Sequence, residues 1–149
     1  GHELLASAGG DHTVRIWDPT TGATRHVLHG HTGAVGGVCT IRVEGHELLA
    51  SAGRDHTVRI WDPTTGATRH VLEGHTAWVV GVCPIRVEGH ELLASASYDR
   101  TVRIWDPRSD RRSIVIPVHA EARALAGVGD AILAVGTENG LLAIRLTAG

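Results

Sequence analysis

This chain repeats itself at a fixed spacing, and that property limits its possible folds more than any other. Residues 1–44 and 45–88 align without a gap and differ only at Gly10/Arg54, His29/Glu73, Gly33/Ala77, Ala34/Trp78, Gly36/Val80 and Thr40/Pro84. A third copy opens at Gly89 with Gly-His-Glu-Leu-Leu-Ala-Ser-Ala, stays close as far as Pro107 and drifts over 108–130; a fourth, worn copy runs over 131–149. Repetition at this period implies that each unit is one supersecondary element, so the chain is read as a single segment of tandem copies, 1–44, 45–88, 89–130 and 131–149.

Within one copy the pattern is strand and turn. Leu48 to Ala52 is a short apolar stretch closed by the turn-forming Gly53-Arg54-Asp55, and Thr57-Val58-Arg59-Ile60-Trp61 then alternates with a period of two. Asp62-Pro63-Thr64-Thr65-Gly66 supplies the next reversal, Thr68 to Leu72 a third strand, and Val79 to Val87 a fourth. Nothing reads as a helix. Four short strands per unit, repeated, is an all-β architecture of four-stranded antiparallel blades. The strands count three, four, four and three along the chain, about three and a half blades.

Composition narrows the function classes. With 14 Lys plus Arg against 16 Asp plus Glu the formal charge is −2, which leaves no basic footprint for nucleic acid. Four Trp, Tyr98 and no Phe are few platforms for stacking single-stranded bases. No apolar run is long enough to cross a bilayer, and no signal-peptide pattern opens the chain. Cys39 and Cys83 fall at equivalent places among apolar neighbours, the behaviour of a small core residue, and a cytoplasmic origin fits this. With Gly1 in place of an initiator Met, the expectation is that the chain is a piece of something longer.

Three sets of residues carry a family resemblance: Gly30-His31 and Gly74-His75, the Trp-Asp pairs at 17–18, 61–62 and 105–106, and the spaced Ser51, Asp55, Thr57, Val58, Trp61 and Asp62. Together they make nearly all of the chain similar to the WD-repeat family of β-propellers. The resemblance implies a buried hydrogen-bonded chain in each blade, Trp to Ser to His to Asp, which would satisfy an indole N–H, a hydroxyl and an imidazole at once. Carried onto this sequence, His31, Ser51, Asp55 and Trp61 form one set, and His75, Ser95, Asp99 and Trp105 another. Ser7, Asp11 and Trp17 lack a His, and His119 meets Val135, Asn139 and Arg145 where partners should be. The sequence departs from the family between the first two blade strands, where Ile41 to Glu47 replaces a short turn, implying longer strands or a projecting hairpin. Pro84 and Pro117 fall in edge strands, where a missing N–H costs little.

The resemblance also implies the activity: a non-catalytic scaffold that binds a protein or peptide partner and needs no cofactor. Ser, His and Asp invite a hydrolase reading, but the Ser lies mid-strand in Leu-Ala-Ser-Ala with no nucleophile elbow. Eleven His include His29-Gly30-His31 at a spacing that could share a metal, yet no Cys or acidic cluster joins them. After duplication, change fell on the residue before the turn Asp (Gly10, Arg54, Tyr98) and at the start of the inner strand (Ala34, Trp78), so Arg54, Trp78 and Tyr98 are the candidate partner-binding face. An open arc of blades leaves flanks and strand edges uncovered, so closure is expected by homo-oligomerisation, with a dimer favoured and six, seven or eight blades left open, or by further blades upstream. The alternatives are a sensor segment of a larger bacterial signalling ATPase or kinase, since such proteins carry similar arrays, and a propeller fragment made to study assembly.

Overall fold

A computed structural model describes residues 3–109 and 112–147, and among these every regular element is a strand. The alternating Val-Arg-Ile-Trp stretches give β2 (Val14–Trp17), β6 (Val58–Trp61) and, with one more residue, β10 (Thr101–Trp105). Each pairs antiparallel with the apolar strand before it: β1 (Leu5–Ala8), β5 (His46–Gly53) and β9 (His90–Ser97). On the other side lie β3 (Thr24–Leu28), β7 (Thr68–Leu72) and β11 (Ile114–Pro117). Inner strands β4 (Val35–Val43) and β8 (Val79–Val87) complete two four-stranded sheets, and β12 (Ala122–Gly127), β13 (Ile132–Thr137) and β14 (Gly140–Arg145) make the last.

The four antiparallel sheets therefore hold three, four, four and three strands, as blades of a propeller would. The sequence repeat and the sheet are out of phase, because β4 lies in the first copy but hydrogen-bonds to β5 of the second. Each copy thus supplies the innermost strand of the next sheet, which ties neighbouring units covalently and through a ladder at once.

The expectation for Ile41 to Glu47 resolves toward longer strands: β4 and β5 pair from Val35↔Gly53 to Val43↔His46. They reverse at Glu44 (φ 50°) and Gly45 (φ 82°), two successive left-handed residues as a tight two-residue hairpin requires. Pro84 sits in inner strand β8 and Pro117 ends outer strand β11, both at sheet edges.

Packing runs between sheets. Val14, Ile16 and Leu28 of the first sheet meet Val35, Leu49 and Trp61 of the second. Val58, Ile60 and Leu72 of the second meet Val79, Leu93 and Trp105 of the third, and Val102 and Ile104 of the third lie with Leu133 and Val135 of the fourth. Among the described residues no core cluster joins the fourth sheet to the first, so the arc is open. Its flanks show the cost: Leu5 is 57% exposed where its equivalent Leu49 is 5%, and Leu141 on the last sheet is 80% exposed.

Candidate functional site

Two polar chains cross the interior. In the second sheet the Trp61 indole N–H donates to Ser51 Oγ at 2.8 Å, Ser51 Oγ lies 2.7 Å from His31 Nε2, and His31 Nδ1 lies 2.9 Å from Asp55 Oδ2. In the third sheet the same contacts join Trp105, Ser95, His75 and Asp99 at 2.8, 2.7 and 2.7 Å. An ionised carboxylate only accepts, so Nδ1 carries the imidazole proton, Nε2 accepts and the serine hydroxyl donates. Burial pulls both imidazoles below their ordinary range against the opposing pull of the aspartates, so they sit neutral. Burial pushes Asp55 up, but hydrogen bonds from the Thr32 amide, Thr57 and His31 outweigh it and keep the carboxyl ionised below its usual value.

Glycine is favoured at 30, where the backbone holds a φ that other residues rarely adopt. With φ at 157° its backbone passes so close to Arg59 that a Cβ would lie 2.6 Å from Nη1 and 3.1 Å from the Trp61 ring, and Gly74 stands against Arg103 in the same way.

The first sheet holds only part of this arrangement. Trp17 donates to Ser7 Oγ at 2.8 Å, but Asp11 faces Arg15 at 3.3 Å rather than an imidazole, and its side chain is 53% exposed against 7% for Asp55. His119 is exposed, and the fourth sheet buries Val135 where the other sheets place a serine.

The surface candidates come together. The amides of Arg54 and Tyr98, on the β5–β6 and β9–β10 turns, donate to the carbonyls of Ala34 and Trp78 at 2.9 and 3.0 Å, so each turn is pinned to the start of an inner strand. The Arg54 guanidinium lies 4.0 Å over the Trp78 ring, Trp78 stacks on Tyr98 with centroids 5.4 Å apart at 28°, and Arg123 lies 4.8 Å over Tyr98. One row of four planar groups thus crosses three sheets, with Trp78 still 39% exposed. Sequence reasoning missed Arg123. It lies on β12 beyond the point where the copies cease to align, and only the stacking of the third sheet on the fourth brings it over Tyr98. Arg123 also donates to the Tyr98 hydroxyl at 3.2 Å and pairs with Glu121 at 3.1 Å. The side chain of Arg54 has no carboxylate partner among the described residues.

Elsewhere the chemistry is quiet. Burial pushes the Cys39 thiol up to about 12 and the Cys83 thiol to about 11, so neither is a ready nucleophile. Among the described residues no group of three His, Cys, Asp or Glu is placed to hold a metal, and no helix is long and apolar enough to cross a membrane. Comparison with curated proteins finds no match. The family model for the WD domain, G-beta repeat, matches residues 1–18, 22–62 and 66–106, which is more than half of the 149 residues. Sheets of three and four antiparallel strands, laid out as that repeat requires, agree with the match, and the chain belongs to the WD-repeat family.

Proposed function

We propose that the chain is a cytoplasmic, non-catalytic protein-interaction scaffold that docks an extended peptide of its partner across the row Arg54, Trp78, Tyr98 and Arg123. The row itself is the observation that carries the reading. Trp78, 39% exposed, and half-buried Tyr98 are flanked by guanidiniums, and Trp, Tyr and Arg are the residue types that dominate interface energies. Steps of 4.0, 5.4 and 4.8 Å set the two guanidiniums at most about 14 Å apart, the span of roughly four extended residues. A peptide with acidic residues at both ends of such a span and apolar residues between them is complementary.

The absence of catalysis is supported by the state of the Ser-His-Asp sets. Ser51 and Ser95 are fully buried and already hold an indole and an imidazole, so neither hydroxyl meets solvent or substrate. Two unbridged thiols support a reducing compartment.

The test is a peptide-display selection on the immobilised chain, counter-selected on Trp78→Ala and Tyr98→Ala. Enrichment of peptides with paired acidic residues that lose binding to both variants is the expected result. Peptides, or nucleic acid added as a competitor, that bind the variants as well as the parent would defeat this docking face.

A further inference from the structure

We infer that the docking row has a direction: it takes a peptide that is acidic where it crosses Arg54 and carries a basic residue where it leaves past Arg123. This rests on the row being the docking face and adds the order of charge along the ligand.

The order comes from strand register, which relates the sheets past the point where their residues cease to match. Val35↔Gly53, Val79↔Ser97 and Ala122↔Thr137 open the pairing between the inner strand and its neighbour in the second, third and fourth sheets, and each is followed by the same shift of one residue. The residues just outside these pairs are therefore equivalent: Ala34 with Arg54, Trp78 with Tyr98, and Glu121 with Glu138. One hydrogen bond marks all three sets. The amides of Arg54, Tyr98 and Glu138 donate to the carbonyls of Ala34, Trp78 and Glu121 at 2.9, 3.0 and 3.2 Å. Arg123 falls at the bulge itself, where the second and third sheets have Gly36 and Val80. A bulge re-aims its side chain, and this one lies over Tyr98 of the neighbouring sheet.

The same pair of positions thus changes character sheet by sheet, from cationic to aromatic to anionic. The two guanidiniums are not equal either. Arg54 lies over Trp78 and has no carboxylate partner among the described residues, so its charge is free for a ligand. Arg123 already donates to the Tyr98 hydroxyl at 3.2 Å and holds Glu121 at 3.1 Å. Glu138 stands beside that pair, its Oε1 accepting from the Glu121 amide at 3.3 Å, and is exposed. Among these three side chains the two carboxylates outnumber the one guanidinium.

An acidic ligand residue at Arg123 must compete with Glu121 for the same guanidinium, whereas one at Arg54 meets no rival. Past Arg123 the surface instead suits a Lys or Arg. Opposite charges across an interface fix its register, and like charges reject the wrong arrangement. The partner segment is acidic over Arg54, apolar over Trp78 and Tyr98, and basic beside Glu121 and Glu138, roughly five extended residues from its first acidic one. Exchanging its ends sets a basic residue on Arg54 and an acidic one on Glu138, two like-charge contacts, so the segment docks one way round.

The test takes peptides selected on the row, adds Lys, Gln or Glu at one flank or the other, labels them with a fluorophore and titrates the full chain by anisotropy. At one flank Lys should tighten binding about three-fold over Gln, the strength of an exposed ion pair, and Glu should weaken it by a similar factor. At the opposite flank, beside Arg54, the signs should reverse, and both effects should shrink as salt is raised. In the chain with Glu121→Gln and Glu138→Gln the Lys gain should vanish while the Gln-flanked peptide binds no more weakly. Gln at 138 keeps a carbonyl for the Glu121 amide, which spares the turn. Flanks that respond alike, or a Lys gain that survives in the double variant, overturn the direction and leave the docking row standing. Failure to select any peptide, or peptides that bind Trp78→Ala as tightly as the parent, overturns the row and its direction together.

Discussion

At the scale of single residues, the same side chain has different worth in successive copies because its surroundings differ. Ser51 is fully buried between an indole and an imidazole. Ser51→Ala leaves the Trp61 N–H and His31 Nε2 buried without partners, and should cost about 2–3 kcal/mol in chemical denaturation. Ser7→Ala should cost well under that, roughly 0.5 kcal/mol, because water reaches the first sheet's half-formed chain. Equal losses in the two variants would mean that the hydrogen-bond chain contributes nothing specific. The buried imidazoles also set an acid limit. His31 and His75 bind protons less readily folded than unfolded, so the stability they carry is complete above the ordinary histidine value of 6.5 and declines as pH falls below it. Asp55 and Asp99, held ionised by their hydrogen bonds, add a second loss below the ordinary carboxylate value of 3.8. The melting temperature should therefore be flat above neutrality and begin to fall below pH 6.5, before most carboxylates titrate; a flat profile there would show that the imidazoles take up protons as readily folded as unfolded.

At the scale of elements, strand identity was legible from the alternation in Val-Arg-Ile-Trp and from the turn chemistry of Asp-Pro-Thr-Thr-Gly. Asp62 explains why that turn recurs: its Oδ1 accepts from the Thr64 amide at 2.9 Å and the Thr64 hydroxyl at 2.6 Å, and Oδ2 pairs with Arg69. Such contacts lie within a few residues of one another, so propensity alone reaches them. The β4–β5 hairpin was less legible. Glu44 carries no turn signal, yet it adopts φ 50° because eight residue pairs, ending at Val43↔His46, leave only two residues to make the reversal. Its place is fixed from outside as well: the Arg42 amide donates to Glu91 Oε1 at 2.6 Å, a contact between neighbouring sheets.

At the scale of the whole molecule, the open arc leaves apolar flanks that a ring would cover. One flank bears Leu5 and Val27, the other Leu141, all exposed. We propose that copies associate through these flanks, repeating the packing that joins the second sheet to the first. Light scattering after size-exclusion chromatography separates the 15.8 kDa monomer from its multiples. A dimer or larger ring is expected, returning toward monomer in Leu141→Glu; a stable, well-folded monomer of the parent chain would rule out closure by self-association.

Strand order, the spacing of the Ser, Asp and Trp positions and the class of fold could all be read from the sequence alone, because a repeat of 44 residues leaves each unit one way to bury its apolar face, against the next copy. The same comparison marked Arg54, Trp78 and Tyr98 as the places where otherwise matching copies diverge. That these three stack in one row, and that Arg123 ends it, came from the tertiary structure, since ring stacking depends on the angle and offset between adjacent sheets. The family resemblance had already set His31, and with it the strand that follows, beside Ser51, Asp55 and Trp61 of the next copy, as β4 lies; what sequence distance did not reveal is that near-identical residues 1–28 and 45–72 differ in burial. Burial is a property of what lies alongside a strand, and two segments with almost the same residues differ when only one of them has a neighbour.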